Sequence, residues 1–226
     1  MTTTYGQFCP IAMAAEIVCT RWTVLVIREL FNGSTRFNDL RRGLARMSPS
    51  LLSKRLKELE RSGVVKVKPG GKSGVNEYHI TDAGQALRPL VMALGNWGSE
   101  WIEDTLPLKN LDPSLLMWDM HRSIHAETFP AGRSTIQFNY PELPDSHRDY
   151  WLVIDDGVVD VCWIDPGFEI DLWVSSPLKV MTAVWMGSAS LMSEITAGRI
   201  KLDGDPRLAR SMPVWLGLSL FAKTLR

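Results

Sequence analysis

Cysteine is scarce in this chain: Cys9, Cys19 and Cys162 are the whole complement of 226 residues. Three thiols, an odd number, argue against a disulfide scaffold and for a reducing compartment, so a cytoplasmic location is expected. No apolar run approaches the roughly 20 residues that a spanning helix needs, which argues against a membrane partner. The opening MTTTYGQFCP lacks a basic stretch followed by an apolar one, so no signal peptide is expected. Also missing are a phosphate loop, a dinucleotide fingerprint, a nucleophile elbow and a paired zinc motif. Neither a cofactor nor an enzymatic activity is therefore expected. His121 and His125 stand four apart, but no third or fourth metal ligand lies at zinc-like spacing. They read as two solvated histidines, with no metal. Glu169 and Asp171 alternate with Ile170, Leu172 and Val174, which makes them the solvated face of a strand rather than a carboxylate pair.

Net charge is absent too, with 25 basic and 25 acidic residues. That balance hides an asymmetry. Between Arg36 and Lys72 eleven basic residues face only Asp39, Glu58 and Glu60, a local net charge of +8. Such a patch is the footprint of a phosphate-facing surface. The same stretch has the pattern of a helix, a turn and a longer helix. Phe37, Leu40 and Leu44 give the first helix one apolar face. Ser48 is suited to the N-cap and Pro49 to the first helical position of the second. Leu52, Leu56 and Leu59 line its inner side, while Ser50, Ser53, Lys54, Lys57 and Arg61 point away, and Gly63 ends it. The alternating Val64–Lys68, a turn over Pro69–Gly74 and a second strand over Asn76–Thr81 make a hairpin with a Gly- and Lys-rich tip. Helix, turn, helix and basic hairpin together predict a winged helix-turn-helix with its second helix shaped for a major groove. The expected contacts with double-stranded operator DNA are Arg36, Ser48, Ser50, Ser53, Lys54, Lys57, Arg61, Lys72 and Ser73.

Before this motif, Cys9-Pro10 opens a helix, and Arg21-Trp22-Thr23 leads into the apolar helix that closes with Arg28-Glu29-Leu30-Phe31. The Cys-Pro opening, Arg21-Trp22-Thr23 with Arg28-Glu29-Leu30, RFNDLRRGL and LLSKRLKELERSGVV resemble the HxlR-type winged helix-turn-helix regulators over about Cys9 to Trp101. The resemblance implies operator binding as a homodimer. It also implies that the next helix, Ala83 to about Asp104, packs against its copy through Leu90, Leu94, Trp97 and Trp101. Cys9 sits at a helix N-terminus, a setting that favours the thiolate. Some regulators of the resembled family sense oxidants through such a cysteine, and Cys9 is the candidate here; a small buried residue is the plainer reading.

The expected domains are residues 1–104 for DNA binding and dimerisation, 105–133 as a helical linker and 134–226 as a separate domain. The linker holds a helix from Ser114 to about Ala126. After Ser134 the period changes to two. Strands are expected over Thr135–Tyr140, Tyr150–Asp155, Val158–Asp165 and Phe168–Ser175 as an antiparallel meander. A long helix over Leu178–Thr196, a short strand Arg199–Leu202 and a last helix Arg207–Thr224 follow. The fold class is thus α+β, a winged helix-turn-helix followed by an antiparallel sheet with packed helices. LMSEITAG, RIKLDGD and SMPVWLGLSLF resemble the sterol-carrier-protein type of lipid-binding domain. That resemblance implies an apolar tunnel for a lipid or other apolar small molecule. Trp151, Trp163, Trp173, Met181, Trp185, Met186 and Trp215 are the expected lining, although an ordinary core would use the same residues. The overall expectation is a regulator whose operator affinity responds to an apolar ligand. Its rivals are a redox regulator acting through Cys9, and a lipid carrier or enzyme whose winged helix binds protein.

Overall fold

A computed structural model describes residues 4–70, 74–102 and 111–222. The chain divides into two compact units, Met1–Gly98 and Ser99–Arg226.

The first unit begins with α1 (Pro10–Val18), α2 (Thr23–Phe31), α3 (Phe37–Gly43) and α4 (Pro49–Arg61). Leu52, Leu56 and Leu59 of α4 are buried against Val26, Ile27 and Leu30 of α2 and Leu40 of α3. Fully burying one such side chain contributes about 1.5–3 kcal/mol, so this leucine stripe fixes which side of α4 turns inward. The helix starts as its residues dictate: the Ser48 hydroxyl accepts from the Leu51 amide at 3.3 Å, and Pro49 holds the first position. It stops in a Schellman motif. The Gly63 amide donates to the Glu60 carbonyl and the Val64 amide to the Leu59 carbonyl, each at 3.0 Å, while Gly63 takes φ 75°. The chain then runs straight into the hairpin of β1 (Val65–Lys68) and β2 (Glu77–Ile80), paired antiparallel with Lys68 opposite Glu77.

The expected helix over residues 83–104 is broken. A single turn, α5 (Asp82–Gln85), is followed by α6 (Arg88–Trp101). Pro89 explains the break: it has no amide to donate back to the Gln85 carbonyl, so the turn of α5 does not continue unbroken into α6. The stretch around Leu106-Pro107 and the helix end at Asp104 lie outside the described residues.

The second unit packs α7 (Pro113–His121), α8 (Leu178–Trp185) and α10 (Pro206–Trp215) on one face of a sheet of β3 (Arg133–Asn139), β4 (Asp149–Asp155), β5 (Val158–Cys162), β6 (Leu172–Ser175) and β7 (Lys201–Gly204). Strand order is β5-β4-β3-β6-β7. The antiparallel sheet expected from sequence is therefore mixed. β3, β4 and β5 form the meander, but β6 runs parallel to β3, with Ile136 opposite Leu172. The connection 163–171 carries the chain from the β5 edge past β4 and β3, and a strand entering on the far side of β3 after such a crossover runs with it. Alternation reveals that a segment is a strand, not which neighbour it will take.

Helix lengths also differ. α7 ends at His121, so His121 and His125 do not share a helical face. Its residues Leu116, Met117, Trp118 and Met120 belong to the core of this unit. The expected helix Leu178–Thr196 is two: α8 closes in a second Schellman motif at Gly187, φ 71°, and α9 (Leu191–Thr196) begins under a Ser190 cap. α10 ends at Trp215, and Leu216 leaves it to bridge Ile124. The last few residues of the expected helix, 223 and 224, lie outside the described residues. Among the described residues no single helix is long and apolar enough to cross a membrane.

Candidate nucleic-acid interface

The outward side of α4 follows from its inward side. With Leu52, Leu56 and Leu59 buried, the residues in between must face water, and Ser50, Ser53, Lys54, Lys57, Glu58 and Arg61 line one shallow polar depression. Five of the nine residues expected to meet DNA are brought together there. Glu58 is the one acid among them, and Arg55 pairs with its carboxylate. Arg55 is itself turned inward, its side chain 11% exposed and its Nε donating to the Arg21 carbonyl at 3.1 Å. Arg55 thus neutralises the intruding acid and leaves Lys54, Lys57 and Arg61 as the charge this face presents.

The other expected contacts are placed differently. The Ser48 hydroxyl is occupied as the α4 cap and lies 3.2 Å from the Ser50 hydroxyl. Arg36 precedes α3 beside the loop end of the hairpin ladder, where it bridges Glu77 and its Nε lies 3.6 Å from that carboxylate. The Tyr78 amide donates to the Thr35 carbonyl at 2.7 Å, which holds β2 against the chain entering α3. Lys72 and Ser73 lie outside the described residues.

A residue that sequence reasoning missed sits behind this surface. Glu29 of α2 is 0% exposed, with Arg28 Nη2 donating to its carboxylate at 2.7 Å and the Ser34 hydroxyl at 3.4 Å. The same Arg28 nitrogen donates to the Gly43 carbonyl at 3.2 Å, and a Cβ at Gly43 would stand 1.9 Å from the Glu29 carboxylate. A side chain at position 43 would displace the Glu29 carboxylate from its place against the end of α3. The signal in the sequence is an acid inside the otherwise apolar VLVIRELF.

The residues expected at a dimer interface all point outward. Leu90, Leu94, Trp97 and Trp101 recur along α6 at helical spacing, with Trp97 56% and Trp101 68% exposed. Val91 is the buried residue of that helix. α1 buries none of its residues, and Phe8, Ile11 and Met13 are exposed on or just before it. Cys9 is the N-cap of α1, its thiol makes no capping bond, and none of the three cysteines forms a disulfide.

The expected pocket residues do not converge. Met181, Trp185 and Trp215 are buried on the helix side of the sheet, with Trp163 and Met186 packed against that core. Trp151 and Trp173 flank Gln137 in the ladder, one residue out of step with Leu152 and Leu172, so they stand on the opposite face. The two-residue period separates them. Trp151 is buried there and Trp173 is 42% exposed. A cavity of about 480 Å³ does lie in the second unit, beyond the end of α8, with Val184, Gly187, Ala189, Leu191 and Pro213 among its walls. Asp171 is structural: its carboxylate accepts from the Thr135 amide at 2.8 Å. Among the described residues no group of three or more His, Cys, Asp or Glu could hold a metal ion.

Comparison with known proteins bears on the first of these sites. The profile of the family described as HxlR-like helix-turn-helix matches residues 17–106. The helix-turn-helix-type transcriptional regulator YvaP of Bacillus subtilis (strain 168) is 40% identical over 100 residues, which are 43% of this chain and 93% of YvaP. The regulator sll1512 of Synechocystis sp. (strain ATCC 27184 / PCC 6803 / Kazusa) is 35% identical over 100 residues, 43% of this chain and 73% of that protein. Among solved structures, the reduced form of the transcriptional regulator YodB from B. subtilis is 28% identical with a TM-score of 0.38, covering 43% of this chain and 97% of YodB. The residues that build α2, α3, α4 and the hairpin lie inside the matched span, and the chain belongs to the HxlR-like family of helix-turn-helix transcriptional regulators.

Proposed function

We propose that this regulator binds a palindromic operator as a homodimer, with α4 in the major groove, and that its second unit senses an apolar small molecule. The observation that carries the DNA reading is the α4 face, where Lys54, Lys57 and Arg61 stand free beside Ser50 and Ser53 while Arg55 neutralises Glu58. Lysines and an arginine supply the sequence-independent attraction, and the serines can donate to base edges. Arg36, beside the loop end of the hairpin, would extend the contact along the backbone. The homodimer rests on the apolar faces of α1 and α6, which one copy leaves exposed. Faces of this kind mark interaction surfaces, and aromatic residues dominate the energetics of such contacts. Two copies related by a two-fold axis would present two α4 helices to the two halves of a palindrome.

The sensor reading is supported by the cavity of about 480 Å³ in the second unit, within the usual range for small-molecule sites. The sterol-carrier likeness belongs with it and rests on the order of strands and helices after Ser134. Redox control through Cys9 is the second reading. It is favoured by a thiol that takes no part in capping at the start of the exposed α1.

The test is binding of duplex DNA from the chain's own upstream region across a salt series. Affinity should fall linearly on a log–log plot, and Lys57→Ala should lower that slope by about 1 if Lys57 meets a phosphate. Absence of specific binding would return the winged helix to protein recognition. Thiol alkylation that leaves affinity unchanged would remove Cys9 as the switch.

A further inference from the structure

The cavity in the second unit has a wall of unusual construction. After α10 the chain runs through residues 216–222 with little regular structure, and Leu216, Leu218, Ser219 and Ala222 of this strap face the cavity. The strap is tied down at several points. Leu216 bridges Ile124, and Gly217 lies so close to the preceding turn that a Cβ would stand 2.1 Å from the Ser123 carbonyl. The Ser219 amide donates to the Trp185 carbonyl at 3.0 Å, just where α8 ends. Beyond it, the Phe221 carbonyl accepts from the Ser99 hydroxyl at 3.0 Å. Ser99 belongs to α6. It lies two residues from both Trp97 and Trp101, and at 3.6 residues per turn that is the other side of the helix.

The cavity's chemistry narrows its occupant. Among the described residues its lining holds no charged side chain; Ser190 and Ser219 supply the hydroxyls. Each already accepts from a backbone amide, Ser190 from Ser193 at 3.4 Å and Ser219 from Phe221 at 3.2 Å, which leaves each O–H to donate. A carboxylate would enter without a counter-charge, whereas a neutral lipophile with one acceptor oxygen would meet apolar walls and a donor.

We infer that this cavity binds an uncharged lipophilic molecule carrying a hydroxyl or carbonyl oxygen, and that the strap 216–222 passes its occupancy to α6 through the Ser99–Phe221 hydrogen bond. The inference rests on the sensor reading above and adds the site, the ligand class and the route. Filling the cavity presses on Leu218 and Ser219, and the strap can yield only by shifting the segment that holds Phe221.

The test uses the full chain with 1-decanol, 2-decanone and decanoate as probes, followed by tryptophan fluorescence and by affinity for the upstream duplex at fixed salt. The neutral probes should bind saturably, and decanoate should bind more weakly by about tenfold or more, since its charge is unpaired in the cavity. Ala189→Trp should abolish binding. Leu218→Arg, which places a cation at a half-exposed wall, should narrow or invert the preference toward decanoate, a gain that misfolding cannot produce. Ser99→Ala should still bind the neutral probes, while the accompanying change in DNA affinity, typically about 5- to 150-fold for coupled sites, collapses toward 1. If the parent responds but Ala189→Trp and Leu218→Arg leave every probe's affinity unchanged, this cavity is not the site and the sensor reading survives without it. A Ser99→Ala protein that still transmits overturns the strap route. A parent that binds none of the probes and whose DNA affinity does not change overturns both the inference and the sensor reading.

Discussion

The two units dispose of their aromatic side chains differently. Among the described residues the first builds its buried core from aliphatic side chains and Met47 and leaves Phe8 and Trp97 in the open, while the second encloses Phe138, Tyr140, Tyr150 and Trp215 between one face of a sheet and its helices. Exposed aromatics on helices whose inner faces are already packed, or which bury nothing at all, are not a defect of packing. Faces of this kind mark interaction surfaces.

That contrast can be broken at either end. The largest effect is expected in the second unit. Trp215 is fully buried, and its Nε1 donates to the Leu208 carbonyl at 2.9 Å. Trp215→Ala should cost about 3–5 kcal/mol, read as a lowered denaturation midpoint of that unit, because it opens a cavity and strands a carbonyl. On the exposed face of α6, truncating aromatics should leave folding nearly untouched. Trp97→Ala with Trp101→Ala should instead weaken self-association by about 2 kcal/mol or more per hot-spot residue, visible in sedimentation as a shift to monomer and in weaker operator binding. A folded double variant that sediments like the parent would remove α6 from the interface.

Smaller effects sharpen the picture at α4. Lys54→Ala or Lys57→Ala should cost about 1–3 kcal/mol of operator affinity if the side chain reads a base, with stability unchanged. Unaltered binding by both would move the recognition surface elsewhere. Ser48→Ala should cost about 1 kcal/mol of stability through the lost cap. Since its hydroxyl is committed to the Leu51 amide, any loss of DNA affinity beyond that of the fold would show that Ser48 also meets DNA.

The same divide runs through what could be read in advance. α4 was legible because its determinants are local: a serine cap, a proline behind it, three leucines at helical spacing and a glycine to finish. The exposed face of α6 was legible for the same reason, although Pro89 cut its start. In the second unit the strands were visible but their partners were not. The crossover that sets β6 beside β3 is a choice among sheet edges, and alternation is blind to it. The expected pocket residues part on a finer point. Composition counts tryptophans but carries no register, and the sheet itself divides Trp151 and Trp173 from the others. Gly187 marked the real cavity wall, but only a broken helix could put it there. Glu29 and Gly43 stayed hidden because a buried carboxylate pressed against a glycine is a meeting of two helices, and neither helix carries it alone.

The parallel pairing of β3 with β6 also dictates an order of events at the ribosome. β3 can take β4 as soon as that neighbour emerges, but its other edge must wait for a partner 36 residues downstream, as the Thr135–Asp171 bond records. Until then the growing chain carries an unpaired strand flanked by Ile136 and Phe138, the kind of edge that recruits strands from other chains. The first unit is by that point fully translated, with its own core within reach. A polysome making this regulator therefore holds DNA-binding heads that can fold beside tails that cannot yet close, and the seconds between β3 and β6 are when it is most exposed to aggregation.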